Sequence, residues 1–197
     1  KGTVIIMNIN NEKLNTASVI LTKVIEVFHW VAAALLGASL FVYFLNDNLL
    51  KYFIDVGNGE LSIAGYSVNV LNKFGDIVTG AFVPSLILGI VTCGMTAMIF
   101  RNIYLIFKTS EGKTKFSEGK TPFQENNIRM LREIGIFAIA IPIIEFIFDI
   151  IIKLIVGVDL IESSISTTGI VLGIAVLCLS QFFVYGMELQ RDSDGLV

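Results

Sequence analysis

The chain has 197 residues, of which 54% are hydrophobic and 16% are charged, and its mean hydropathy is +0.78. Too few charged side chains remain to cover the surface of a water-soluble domain of this length, so an ordinary soluble protein is excluded. The net charge of −3 is small, and it favours neither direct nucleic-acid binding nor attachment to a membrane through a polybasic surface.

The N-terminus, residues 1–16, is predicted to be a polar segment, and residues 1–6 before Met7 are interpreted as a leader or an appended sequence. Residues 17–197 are predicted to form a single domain. Within it, four apolar runs are each long enough to cross a hydrocarbon core about 30 Å thick as a helix, the only open-chain structure that satisfies its own backbone in lipid. The sequence therefore predicts an all-α protein with four transmembrane helices, near residues 24–45, 77–100, 134–155 and 169–185.

The first span carries ionisable residues near its start. Lys23, Glu26 and His29 are spaced three apart and are predicted to share one helix face. His29 is the single histidine of the chain, and one histidine without a second nearby ligand makes a poor metal site. Two interpretations stay open for this group: an intramembrane polar site, or the interfacial margin of the span with Trp30 as an aromatic anchor.

The segment between the first two spans contains a strand-like pattern. Apolar positions alternate on either side of Ala64–Gly65 within Leu61–Val70. This pattern predicts a short β-hairpin, and the alternative is a linker with some β character. Because a lone hairpin is marginally stable in water, we expect it to lie on the helix ends or on the membrane surface.

The basic residues predict the orientation. Segment 101–132 carries seven Lys and Arg residues, whereas segment 46–76 carries two and segment 156–168 carries none. Cytoplasmic loops are enriched in Lys and Arg, so segment 101–132 is predicted to be cytoplasmic. With four spans, both termini are then cytoplasmic and the hairpin is extracytoplasmic.

Within the basic segment, residues 110–120 are rich in Gly, Lys, Ser and Thr and are interpreted as mobile. Thr121 and Pro122 then predict a helix start, with Thr121 as the N-cap and Gln124 completing a capping box. The stretch is predicted to continue into the third span, either as a helix extension or as a docking surface. Its apolar face is predicted to contain Phe123, Ile128, Leu131 and Ile134.

The third span contains three ionisable residues on one face, because Glu145, Asp149 and Lys153 recur every four residues. An ionised carboxylate near mid-bilayer costs about 3 kcal/mol, so these groups are expected to be paired, protonated or in a wet cavity. A kink at Pro142 can open room for water or a ligand. The structural alternative is a polar clamp that holds the four helices in register. The predicted intramembrane polar site consists of Glu26, His29, Glu145, Asp149 and Lys153.

The fourth span has a GxxxG spacing at Gly169 and Gly173, which fits tight helix contact within the bundle or in a homodimer. Cys93 and Cys178 both lie inside apolar runs and are interpreted as buried thiols rather than as a disulfide. The sequence has no HExxH, CxxC, GxSxG or P-loop motif. Neither enzymatic activity nor a metal or other cofactor is therefore predicted.

Two stretches carry a family resemblance. Residues 121–135 resemble a PF-x-x-x-N-x-x-x-L-R-x-I-G entry to a third span, and residues 183–194 resemble an F-x-x-G-x-x-L-Q-x-x-x-D exit from a fourth. Together they resemble the YoaS-like family of small bacterial four-span membrane proteins, a domain of unknown function. The resemblance covers most of the chain from about residue 24 and implies a place in the bacterial cytoplasmic membrane.

The resemblance also implies a partner, since relatives are often encoded beside an Xre-type helix-turn-helix regulator. We therefore expect a non-enzymatic sensor or regulatory partner of a cytoplasmic helix-turn-helix transcription factor. One alternative is a small transporter or ion-coupled carrier that uses Glu145 and Asp149, and another, resting on size alone, is a toxin-immunity or peptide-resistance protein. The candidate docking residues are Phe123, Asn127, Leu131, Arg132, Glu188, Gln190 and Asp192. The alternative for these residues is that the two stretches cap their helices and pack on each other.

Overall fold

A computed structural model describes residues 2–45, 60–63, 66–71, 77–157 and 167–195. This part of the chain contains four long helices: α1 Gly2–Leu45, α2 Thr79–Ser110, α3 Glu125–Val156 and α4 Thr167–Asp194. Each of them includes a stretch that is long and apolar enough to cross a membrane. The prediction of four helices long and apolar enough to cross a membrane is therefore confirmed, and these helices indicate a multi-pass membrane protein.

The helices are longer than the apolar runs from which they were predicted. α1 begins at Gly2, so the N-terminus that was predicted as a separate polar segment is part of the first helix. α2 continues to Ser110 and α4 to Asp194. An established helix gains about one backbone hydrogen bond for each residue added, so polar residues beyond the apolar run extend it.

Two short strands precede α2. Strand β1, Glu60–Ile63, pairs antiparallel with strand β2, Tyr66–Asn69, and the predicted turn at residues 64–65 lies outside the described residues. After β2, the N–H of Val78 donates to the carbonyl of Val70 at 2.8 Å. This bond ties the chain that leaves β2 to the start of α2.

The chain forms two compact units, each built from separate stretches of sequence. The first unit comprises residues 1–28, 96–138 and 171–197, and the second comprises residues 29–95 and 139–170. Three of the four residues of the predicted apolar face of α3 are at most 9% exposed: Ile128, Leu131 and Ile134. The prediction is wrong for Phe123, which precedes the helix and is 37% exposed.

The second unit has an apolar core to which α1, α2 and α3 all contribute. Phe82 of α2 is 2% exposed and Ile152 of α3 is fully buried. Tyr43 of α1 packs against Phe82 with ring centroids 5.1 Å apart, and its hydroxyl lies 2.6 Å from that of Thr79. Because the Tyr43 hydroxyl has a partner, the ring can pack on the core at little polar cost.

In the first unit, α3 and α4 approach each other closely at glycines. A Cβ atom on Gly135 would lie 3.0 Å from the carbonyl oxygen of Gly173 and 2.7 Å from Cγ of Leu177. Glycine is therefore required at position 135 for this approach. Gly173, which belongs to the predicted GxxxG spacing, is buried and is used for helix contact within the chain.

The predicted start of α3 is wrong, because the helix begins at Glu125 rather than directly after Thr121. The carbonyl of Gln124 accepts the N–H of Ile128 at 3.1 Å, which makes Gln124 the N-cap residue. The side chain of Gln124 does not return to the N–H of Thr121 as a capping box requires. It bonds to backbone groups of the preceding loop instead.

Candidate functional site

The connector, residues 111–124 between α2 and α3, is organised around one buried glutamine. Gln124 is 1% exposed. Its Nε2 donates to the carbonyl oxygens of Gly119 at 3.0 Å and Thr121 at 2.5 Å, and its Oε1 accepts the N–H of Glu118 at 2.9 Å. The same Nε2 also lies 3.4 Å from the carbonyl oxygen of Thr109, so a single side chain bonds to four backbone groups. Residues 110–120, which were interpreted as mobile, are therefore held in place by hydrogen bonds.

Short polar side chains attach the connector to the end of α2. The Ser117 hydroxyl donates to the carbonyl of Thr109 at 3.0 Å. Asn127 Nδ2 donates to Ser110 Oγ at 3.0 Å and to the carbonyl of Pro122 at 2.9 Å. These contacts join α2, the connector and the first turn of α3, so the loop has defined attachments at both ends.

The connector also packs on the last turns of α4. The rings of Phe123 and Phe183 meet edge to face with centroids 5.4 Å apart. Phe123 lies so close to Gly186 that a Cβ atom there would be 2.5 Å from the ring. The Thr121 hydroxyl donates to Oε1 of Gln190 at 2.7 Å. The two stretches that carry the family resemblance therefore contact each other.

The candidate docking residues differ in burial. Asn127 is fully buried and Leu131 is 9% exposed, so these two side chains support the fold and are removed from the predicted surface. Gln190 is half-buried and is hydrogen-bonded to Thr121. The exposed candidates are Phe123, Arg132, Glu188 and Asp192.

A carboxylate joins the connector to α1. Glu111 Oε1 accepts Nδ2 of Asn15 at 2.7 Å, and Glu111 Oε2 lies 2.8 Å from Nζ of Lys113 and 3.6 Å from Nζ of Lys108. The hydrogen bond from Lys113 is the largest influence, and it lowers the pKa of the Glu111 carboxyl against the opposing effect of partial burial. The next residue, Gly112, has φ of 73°, a conformation that favours glycine.

One further polar contact in the first unit was not predicted from the sequence. Asn102 is 4% exposed, and its Nδ2 donates to Oε2 of Glu133 at 2.9 Å. The predicted second span ends near residue 100 and the predicted third span begins near residue 134. Polar residues that flank two span ends on the same side of the membrane could have indicated this pair.

The ionisable group on α1 contains a paired carboxylate. Glu26 is 6% exposed, and its Oε2 lies 3.0 Å from Nζ of Lys23. The same Nζ lies 5.1 Å from the ring centroid of Tyr104 on α2. Glu26 therefore has an ionic partner on its own helix, and that partner, Lys23, contacts Tyr104 and joins α1 to α2. His29, half-buried, belongs to the second unit whereas Glu26 belongs to the first.

The polar face of α3 lies in the second unit. Asp149 is 4% exposed, and its Oδ1 has no hydrogen-bond partner among the residues that the structure describes. Glu145 and Lys153, one turn away on either side, are half-buried. Ile152 follows Asp149 by three residues and packs in the apolar core, so this face of α3 is directed into the unit rather than towards lipid.

The thiols and potential metal ligands are dispersed. Cys93 is buried as predicted, whereas the prediction is wrong for Cys178, which lies on an outward side of α4. A small apolar thiol is compatible with lipid contact. Among the described side chains, no group of three or more His, Cys, Asp or Glu residues is placed to hold a metal ion.

Comparisons with protein-family models, curated proteins and solved structures found no match to this chain. The YoaS-like resemblance of residues 121–135 and 183–194 therefore stays a prediction. Two features remain as functional candidates: the surface formed by the connector with α4, and the buried carboxylate of Asp149.

Proposed function

We propose that the chain is a non-enzymatic regulatory protein of the bacterial cytoplasmic membrane whose connector and C-terminal helix end dock a cytoplasmic helix-turn-helix regulator. The observation that carries the proposal is an exposed aromatic residue on a hydrogen-bonded loop. Phe123 is 37% exposed although its ring also contacts Phe183 and Gly186. Aromatic side chains of this kind are typical anchors of protein interfaces.

The surroundings of Phe123 also suit a docking surface. A cleft of about 110 Å³ lies beside it, lined by Thr121, Gln124, Met187 and Arg191 among others. Because Gln124 already orders the connector, the connector would lose little conformational entropy when a partner binds it. The exposed charges of Arg132, Glu188 and Asp192 can provide the polar rim that such interfaces usually have.

The cytoplasmic location is supported by the positive-inside bias. The seven basic residues of segment 101–132 favour a connector on the cytoplasmic side, with the strands β1 and β2 on the other side. The partner class follows from the family resemblance, in which a helix-turn-helix regulator is encoded nearby. A regulator of this class is cytoplasmic, as the proposed orientation requires.

Orientation is tested by labelling single cysteines in a chain whose Cys93 and Cys178 are replaced by alanine. The side chain of Lys113 is 62% exposed, so Lys113→Cys should react with a membrane-impermeant maleimide only after the cells are permeabilised. Lys51→Cys, in the segment proposed to be outside, is the matched control and should react in intact cells. Reaction of Lys113→Cys in intact cells would refute the cytoplasmic location of the connector and, with it, the proposed docking of a cytoplasmic regulator.

Docking is tested by co-purifying helix-turn-helix proteins with the affinity-tagged chain from its own cells and identifying them by mass spectrometry. Phe123→Ala should lower recovery by about tenfold or more, as expected for loss of an interface anchor. Phe182→Ala removes an aromatic ring that is 68% exposed elsewhere on α4 and should leave recovery unchanged. Asp192→Lys should lower recovery without loosening the connector. Full recovery with both Phe123→Ala and Asp192→Lys would refute this docking surface.

A further inference from the structure

Asp149 differs from the other buried polar groups of the second unit. Its residue is 4% exposed and its Oδ1 has no hydrogen-bond partner among the described residues. By contrast, the buried Ser85 hydroxyl donates to the carbonyl of Ala81 at 2.7 Å, and the buried Thr92 hydroxyl donates to the carbonyl of Gly89 at 3.3 Å. Buried polar atoms in proteins are nearly always partnered, so the buried, unpartnered Oδ1 of Asp149 points to a bound group as its partner.

The charges of the second unit indicate the charge of that group. On the described helix segments of this unit, Glu145 and Asp149 are the acidic side chains and Lys153 is the basic one. The formal charges of these three α3 residues sum to −1. The other titratable residues on the described helix segments of this unit are His29 and Tyr43 on α1 and Cys93 on α2. A buried carboxylate without a compensating charge is strongly disfavoured in lipid, so the group that meets Asp149 is expected to be a cation.

We propose that the α3 face carrying Glu145 and Asp149 binds one small monovalent cation, a proton or a sodium ion, inside the membrane. Both cations are bound by a carboxylate oxygen. The two carboxylates lie one helical turn apart on α3. A divalent ion would reverse the charge of the site, and calcium requires about six to eight oxygen ligands. This site is separate from the proposed docking surface and does not depend on it.

The binding of sodium is tested by thermal unfolding of the purified full-length chain in detergent micelles. Sodium chloride should raise Tm relative to choline chloride at equal ionic strength, with saturation and a rise of roughly 5–10 °C at one hundred times Kd. Asp149→Asn should abolish the rise, and Glu145→Gln should shift its midpoint to at least about fivefold higher sodium. Asp194→Asn makes the same substitution at an exposed position and should behave as the wild type.

The binding of a proton is tested on the same samples by infrared spectroscopy. If the cation is a proton, sodium has no effect, and the wild type shows at neutral pH the carbonyl band of a protonated carboxyl group that Asp149→Asn lacks. Either result, a sodium effect or this band, supports the site. A wild-type chain with neither a sodium effect nor a protonated band overturns the proposal, whether or not Asp149→Asn folds. A sodium effect that persists unchanged in Asp149→Asn and in Glu145→Gln also overturns it.

Discussion

Replacing Gly135 by alanine tests the close approach of α3 and α4 directly. The added Cβ atom would lie 2.7 Å from Leu177 Cγ and 3.0 Å from the carbonyl oxygen of Gly173. Leu177 can rotate, but the carbonyl belongs to the backbone of α4, so the helices must separate. Overpacking of this kind costs about 1–3 kcal/mol, partly offset by the gain of about 0.5–1 kcal/mol that alanine has over glycine within a helix.

The matched control is Gly94→Ala, because a Cβ atom on Gly94 meets nothing within 4 Å. This variant has the helix-propensity gain without the clash. We therefore expect Gly94→Ala to be neutral or slightly stabilised, and Gly135→Ala to lie about 1–3 kcal/mol below it. Addition of Leu177→Ala to Gly135→Ala should relieve the side-chain contact but not the contact with Gly173, so it should not return the helices to their original separation.

The assay is unfolding by sodium dodecyl sulfate in mixed micelles, followed by circular dichroism. The quantity compared is the difference in unfolding free energy between Gly135→Ala and Gly94→Ala. Equal unfolding curves for these two variants would mean that α3 and α4 are not in close contact at Gly135, and that the tight-packing interpretation of Gly173 is wrong.

Two further predictions concern the connector. Gln124→Ala should lower the stability of the connector by about 1–3 kcal/mol, because buried backbone groups lose their hydrogen-bond partner. Trypsin should then cleave faster at Lys113 and Lys115. Unchanged cleavage would contradict the role of Gln124. For Glu111, the pKa is lower in the folded chain than in the unfolded chain, so its contribution to stability is complete above the ordinary pKa of 4.5 and is lost as the pH falls through the folded pKa. Thermal unfolding should therefore become easier in acid, and Glu111→Gln should reduce that dependence; an identical acid profile for both chains would show that Glu111 contributes none of it.

The apolar runs predicted the four helices because spanning a membrane requires length and apolarity, which are local properties of sequence. The spacing of Ile128, Leu131 and Ile134 likewise predicted an inward face of α3. The helix ends were predicted less well, because α1 and α4 continue into polar residues whose helical state depends on the turns that precede them. Composition alone does not distinguish such residues from a loop.

The connector was the least predictable part, since its contacts link residues that are far apart in the chain. Glu111 is 96 residues from its partner Asn15, and no local pattern indicates that pair. Gln124 was assigned a capping role from its distance to Thr121, but a glutamine amide has two donors and an acceptor, and here they bond to several backbone groups. Asn127 was placed on a surface because the motif was considered without its packing.

The contact between Thr121 and Gln190 joins positions 69 residues apart, and this separation imposes an order on biogenesis. The ribosome synthesises Thr121 well before Gln190. The third helix is therefore made while the connector still lacks its contact with α4. The connector gains its last contact only after the end of α4 has been made.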